Sequence, residues 1–219
     1  APVRVTTYFD FVSNRVRNTY ADGINFAQGT RLSTVRHCSF RDNGDDALAV
    51  WPSSESGAPE GYSNLFHHNS VEFTYRAGGL GIFGGYGHRI HHNLVKDGTD
   101  NAGLRFTEDF PGYHFANNAG IYVYENTLVG RGTSLDVWNW PRGAIEVAGA
   151  GIQNIFFENN DILHSPPRHP AAGRLRLVFH HHHHPGHRPG PPRRAGRRGG
   201  AAVRLRGQRD LPAPGHVRY

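Results

Sequence analysis

The sequence predicts an all-β chain, a right-handed parallel β-helix of about six coils, on three observations. A short pattern, apolar-x-x-Asn-x-apolar, recurs along the first three quarters of the chain. β-Branched and aromatic residues alternate with Arg, His, Asn and Glu over short runs, which is the texture of strands. No amphipathic segment runs for three helical turns, and the 28 Gly disfavour helix–turn–helix repeats. The frame of leucine-rich repeats is missing as well.

The coils follow in order. The pattern reads Phe11–Val16, Val35–Phe40 with Cys38 in the Asn slot, Phe66–Val71, Ile90–Val95, Val123–Leu128 and Phe157–Ile162. The slots are 14, 38, 69, 93, 126 and 160, at intervals of 24, 31, 24, 33 and 34 residues. Longer coils are expected where a loop such as Pro52 to Tyr62 bulges outward. Stacked Asn side chains at the bend should hydrogen-bond along the axis and satisfy backbone groups that a turn leaves unpaired. The single Cys gives no disulfide and is expected to be a buried packing residue.

This register aligns two acids. Asp22 lies eight residues after slot 14 and Asp46 eight after slot 38, so they occupy equivalent places on adjacent coils. Neighbouring parallel strands are about 4.8 Å apart. Two carboxylates at that spacing repel, so one should have a raised pKa or share a proton or a water. Asp45 is one residue off the register and needs a bend at Gly44 to reach the same face. Inverting glycosidases place a protonated acid and a water-activating carboxylate roughly 6.5–9.5 Å apart. On this pattern Asp22 and Asp46 hold the water and Asp45 is the acid. Asp-Gly and Gly-Asp-Asp are also ordinary turn sequences, so it is their coincidence with the period that points to chemistry.

Three stretches, Asp22-Gly23-Ile24-Asn25, Ser33-Thr34-Val35-Arg36-His37-Cys38-Ser39-Phe40-Arg41 and Gly44-Asp45-Asp46-Ala47-Leu48-Ala49-Val50-Trp51, resemble the catalytic core of glycoside hydrolase family 87. The match is dense from Tyr20 to Trp51 and continues through the coil pattern to about Ser165. The resemblance implies a secreted β-helix enzyme, an α-1,3-glucanase or mycodextranase that inverts configuration, with Asp22, Asp45 and Asp46 as catalytic aspartates. It also implies a polysaccharide substrate, an α-glucan, with no nucleic-acid or membrane partner, and a monomer acting outside the cell. Polygalacturonases share the β-helix and a three-aspartate site. They carry Asn-Thr before the first Asp, where this chain has Tyr20-Ala21, and a Gly-His-Gly and an Arg-Ile-Lys motif that Gly87-His88-Arg89-Ile90-His91 only echoes.

Several other residues are expected to bind substrate. Asn25 follows the first acid, and Trp51 follows the acid pair closely enough to stack on a sugar face. His88 and Arg89 follow the Gly-rich stretch Gly78 to Gly87, where a sugar could approach the backbone. Trp138 and Trp140 could extend a groove or cover an apolar edge. Arg105 is expected to pair with Glu108 on its own strand, or else with a substrate hydroxyl.

No cofactor is expected. Solenoids often hold a structural calcium, but no EF-hand loop, no His-Glu-x-x-His and no Ser-His-Asp signature is present. His67-His68 and His91-His92 recur at 24 residues. Adjacent strand residues face opposite sides, so one of each pair is expected on a given surface, as a solvated ladder and not a metal site.

Composition divides the chain into a β-helix core, 1–165, and a tail, 166–219. The tail holds 12 of the 24 Lys+Arg, one of the 18 acids and nine of the 14 Pro, so it carries +11 against −5 for the body. It lacks Lys and interleaved aromatics, which disfavours nucleic-acid binding, and its Arg-Pro-Gly-Ala texture resembles an out-of-frame reading of a GC-rich gene. It is expected to be disordered or non-native. The body opens directly in strand-like sequence, so the chain is expected to be an internal fragment of a larger secreted enzyme. Two readings compete with hydrolysis: a non-catalytic β-helix that binds polysaccharide, and a calcium-dependent lyase.

Overall fold

The computed structural model describes residues 5–52, 60–133, 142–149 and 151–165. Most of the loop after Pro52, both Trp138 and Trp140, and the tail from 166 lie outside the described residues. Every regular element among the described residues is a short strand.

The chain winds in coils, each laying one strand on each of three parallel sheets. The first coil is β1 (Asp10–Val12), β2 (Arg15–Arg17) and β3 (Ile24–Ala27); the second is β4 (Thr34–Arg36), β5 (Ser39–Arg41) and β6 (Leu48–Trp51). The third is β7 (Leu65–His67), β8 (Ser70–Glu72) and β9 (Leu80–Ile82); the fourth is β10 (Arg89–His91), β11 (Leu94–Lys96) and β12 (Leu104–Thr107). The fifth is β13 (Ile121–Tyr124), β14 (Thr127–Val129) and β15 (Ile145–Ala148), and β16 (Ile155–Glu158) and β17 (Asp161–Leu163) open a sixth. Each strand pairs with its equivalents one coil before and after, giving sheets of six, six and five strands. This is the parallel β-helix expected from the repeat.

Period-2 alternation makes the core. Val35, Phe66, Ile90 and Val123 stack inward from the first sheet, Phe40, Val71, Val95 and Leu128 from the second, and Val50, Ile82 and Phe106 from the third, all essentially without solvent contact. Each such side chain contributes about 1.5–3 kcal/mol on burial, so the stack supports itself coil on coil.

The Asn slot sits at the corner between the first and second sheets. The Nδ2 groups of Asn69, Asn93 and Asn126 donate to Oδ1 of the next Asn at 3.1, 2.9 and 2.9 Å, and also to main-chain oxygens of the preceding coil. The same Oδ1 atoms accept main-chain N–H groups, as from Cys38 to Asn69 at 3.0 Å. Cys38 keeps its place in this line through Sγ, which accepts from the Asn14 N–H at 3.4 Å and donates to the Phe11 carbonyl at 3.3 Å. It is buried, as expected.

The residue before each slot takes a left-handed conformation; His37, His68 and His92 have φ of 54°, 53° and 53°. This corrects the expectation that only one of each His pair shares a surface. The strand alternation breaks at that residue, and both rings emerge on one side, with Nδ1 of His67 and His68 2.8 Å apart and the same spacing at His91 and His92. Burial and the neighbouring imidazoles hold His67, His68 and His91 below the usual histidine range, His91 at about 4.

Candidate active site

The second corner, between the second and third sheets, carries the acids. β3 pairs β6 with Ile24 opposite Leu48, which sets Asp22 opposite Asp46. The corner segments are zipped by main-chain bonds from Gly44 to Thr19 at 2.8 Å, Asp45 to Ala21 at 3.2 Å and Gly23 to Asp46 at 2.9 Å. The chain bends at Gly44 and Asp45. A Cβ at Gly44 would stand 2.6 Å from both the Tyr20 carbonyl carbon and the Tyr75 hydroxyl, so only Gly allows the coils to approach here. Arg76 fastens the same corner, donating from Nε to the Gly44 carbonyl at 2.9 Å and from Nη2 to the Tyr20 carbonyl at 2.5 Å.

The bend brings the off-register acid onto the face of the other two. Oxygens from Asp22, Asp45 and Asp46 all lie within 4.8 Å of one another. Asp22 Oδ2 accepts from Asn25 Nδ2 at 2.7 Å, Asp45 Oδ1 accepts the Asp46 N–H at 3.0 Å, and Asp46 Oδ1 accepts the Gly78 N–H at 2.7 Å. Asp46 is buried.

Burial raises both stacked carboxyls. Asp46 is pushed up to about 7, by desolvation first and then by the charges of Asp22 and Asp45, against the opposing pull of Arg105 and the Gly78 N–H. Asp22 is pushed up to about 6, again by desolvation and by Asp45, with the Asn25 hydrogen bond acting the other way. Both carboxyls are therefore held above the usual carboxylate range, chiefly because they are taken out of water.

The remaining expected residues separate into three groups. Asn25 touches the triad directly. Trp51 sits on the outer side of the same sheet with its ring against Phe83, Phe110 and Tyr113, at centroid distances of 5.7, 5.0 and 5.8 Å. Arg105 is near enough to Asp46 to lower it, but its partner is not Glu108. It pairs with Glu146 at 2.8 Å on the next coil and with Asp109, while Glu108 accepts main-chain N–H groups of Phe115 and Gly151. The reason is register: β12 pairs β15 with Arg105 opposite Glu146.

His88 is a correction. It is fully buried, its Nδ1 accepts the Asn64 N–H at 3.2 Å and its Nε2 faces the Gly84 carbonyl at 3.2 Å, so neither nitrogen is offered to a sugar. Burial lowers it to about 4, and it serves as a neutral link in a corner ladder with Asn64 and Ser33. Arg89 is exposed on the first sheet, opposite Leu65 and Tyr122, and is not brought to the acids.

Two features escaped the sequence. Gly78 and Gly81 make the seat for Asp46, since a Cβ on either would stand 2.9 Å from Asp46 Oδ1 or Cγ respectively. The Gly-rich stretch was expected to admit a sugar, but here it admits a carboxylate. Arg131 is wholly buried at the same corner, with Nη2 on the Ala102 carbonyl at 3.0 Å. Burial lowers it to about 10 while Asp46, Asp97 and Asp100 raise it. The signal was Gly98, the residue one coil earlier, whose missing side chain leaves room for the guanidinium.

The family described as "Alpha-1,3-glucanase catalytic domain D2" matches residues 4–135. The catalytic domain of Agl-KA is 49% identical over 68% of this chain and 26% of that one, with a TM-score of 0.63. The catalytic unit of a thermostable GH87 α-1,3-glucanase from Streptomyces thermodiastaticus strain HF3-3 is 26% identical over 73% of this chain and 29% of that one, with a TM-score of 0.56. A GH87 α-1,3-glucanase catalytic domain solved with tetrasaccharides, 24% identical over 72% of this chain and 30% of that one, shares the fold with a TM-score of 0.65. The chain spans less than a third of the length of each of these structures. No curated protein matches it by sequence.

Proposed function

Since the chain belongs to the α-1,3-glucanase catalytic domain D2 family, we propose that it is the acid-bearing part of an extracellular, monomeric inverting glycoside hydrolase that cleaves α-1,3-linked glucan. The convergence of Asp22, Asp45 and Asp46 within 4.8 Å carries the reading. Such a cluster of carboxyls destabilises the fold and supplies both protonated and ionised groups. Its nearest oxygens are closer than the roughly 6.5–9.5 Å between the acid and base of inverting enzymes, so the anomer first released is the test of inversion.

Asp22 and Asp46, stacked on adjacent coils, hold the attacking water between them. A water accepted by two carboxylate oxygens at about 2.8 Å each spans oxygens roughly 4.5 Å apart, which fits the cluster. One ionised member takes the water proton, and Asp45 gives its proton to the departing glycosidic oxygen. Asn25 keeps Asp22 oriented, and Trp51 with Phe110 offers an aromatic face along the sheet for a neighbouring sugar ring.

A second assignment draws support from Asp46, the more strongly raised acid, in which it is the proton donor and Asp45 the base. A glucosyl fluoride, whose leaving group needs no protonation, separates the two. With Asp45 as acid, Asp45→Asn abolishes glucan hydrolysis but spares the fluoride, while Asp46→Asn loses both; the reverse pattern assigns the acid to Asp46. Incubating the chain with α-1,3-glucan and with polygalacturonate, following reducing ends, ultraviolet absorbance and the anomer first released, tests the activity itself. Retained sugar configuration overturns inversion. Unsaturated products identify a lyase, and binding without products leaves a non-catalytic β-helix.

A further inference from the structure

The first corner, on a different edge of the solenoid from the acids, carries a second cluster. The imidazoles of coils three and four form a two-by-two array: His67 stacks on His91 with centroids 5.0 Å apart and planes at 11°, and His68 stacks on His92 at 4.7 Å and 7°. Within each coil the two rings stand edge to face, at 83° and 81°. One ring nitrogen each from His67, His68 and His91 lies within 4.8 Å of the others. His92 is tethered outside the three, its Nε2 2.9 Å from Glu125 Oε2.

We propose that His67, His68 and His91 bind a borderline divalent transition metal, of which zinc is the representative, and that the bound ion ties the third and fourth coils together. The ligand type fits, because imidazole nitrogens suit zinc, copper and nickel. The reach fits as well. Zn–N bonds of about 2.0–2.1 Å at tetrahedral angles need nitrogens roughly 3.4 Å apart, so no pair has to close by more than about 1.4 Å, while the 2.8 Å Nδ1 pair opens slightly. His68 is exposed at its corner and supplies that movement by rotating its ring. Water completes the coordination.

The two vicinal pairs owe their shape to the left-handed residues His68 and His92, which place consecutive side chains on one surface. The same conformation recurs before the other slots, at Ser13, Glu125 and Asn159, so what is particular to coils three and four is an imidazole at both positions of the corner. The adjacent coil before these offers only one His at this level, His37, whose ring lies 5.2 Å from that of His68. The array is therefore closest where coils three and four meet.

The test is zinc titration of the full chain by calorimetry. The run His180 to His184 would also bind zinc, so every protein compared carries Ser at those five positions. The expected result is one zinc per chain with a Kd of about 1 μM, a raised Tm in zinc, and at least about tenfold weaker binding in His68→Ala. His91→Phe retains an aromatic ring to stack on His67 and Tyr124 but has no nitrogen, so it should keep the zinc-free Tm and lose the zinc response. Equal zinc affinity in both variants and the parent overturns the site, as does the absence of zinc binding in the parent.

Discussion

A Cβ at Gly81 would stand 2.9 Å from Cγ of Asp46, so the carboxylate rests directly on the backbone of the next coil. Gly81→Ala should therefore displace Asp46, and with it the buried Phe83 ring, whose Cε2 would stand 2.7 Å from the added methyl, while the inward-facing side chains of the strand keep their places. A shift of about 1 Å in a catalytic group costs on the order of 100-fold in rate. The expectation is a loss of about that size in kcat on α-1,3-glucan with an unchanged far-UV circular dichroism spectrum. Activity within a fewfold of the parent would show that Asp46 tolerates displacement.

Asp46 also sets a stability cost that depends on pH. Its folded pKa is raised from 3.8 to about 7, so the folded chain holds a proton that the unfolded chain has released. The resulting stabilisation is fully present below pH 3.8 and is lost as pH rises through about 7. Asp46→Asn stays neutral and keeps an oxygen for the Gly78 N–H. It should unfold several degrees higher than the parent at pH 8, on the order of 2–4 kcal/mol, with the difference vanishing near pH 4. Parallel melting curves across that range check it, and a constant difference would remove the titration as its cause.

The same pair fixes the acid limb of activity. The water needs an ionised partner, and Asp22 and Asp46 take up protons as pH falls through about 7 to about 6, so kcat/KM should decline across that interval. The Asn25 hydrogen bond favours ionised Asp22. Asn25→Ala should move the limb to higher pH. A uniform loss at all pH values would assign Asn25 to substrate contact instead.

The repeat made most of the fold legible, because identical side chains at the Asn slot mark the same corner in successive coils. It also made Asp22 and Asp46 equivalent before any coordinates. What it concealed was decided by groups without a sequence signature. Arg105 chose Glu146 over Glu108 because parallel register brings residues 41 apart face to face. His88 followed a Gly-rich stretch like a loop residue but fills a corner slot inside the solenoid. The His pairs broke strict alternation because left-handed φ at a corner is invisible in hydrophobic pattern. Trp138 and Trp140 lie outside the described residues.

Cys38 is the place where the ladder can be repaired. Asn69 Oδ1 accepts its N–H at 3.0 Å, but the chain of side-chain amides stops there, and Sγ makes weak thiol contacts with the Asn14 N–H at 3.4 Å and with the Phe11 and Arg36 carbonyls at 3.3 and 3.2 Å. An Asn at this corner in the next three coils donates to the preceding coil's carbonyl and accepts an N–H through Oδ1. Cys38→Asn should do the same, donating Nδ2 to Phe11 and Asn69 and accepting from Asn14. Two amide hydrogen bonds replacing weak thiol contacts contribute about 1–2 kcal/mol, so the melting temperature should rise by a few degrees. Asn126→Ala is the opposite experiment, because it removes the acceptor of the Asn93 N–H and breaks the side-chain ladder to Asn93 and Asn160, and should cost about 2–4 kcal/mol. A destabilised Cys38→Asn would mean that the second coil is spaced for sulfur, and the ladder would then be a property of the four coils from Asn69 to Asn160 alone.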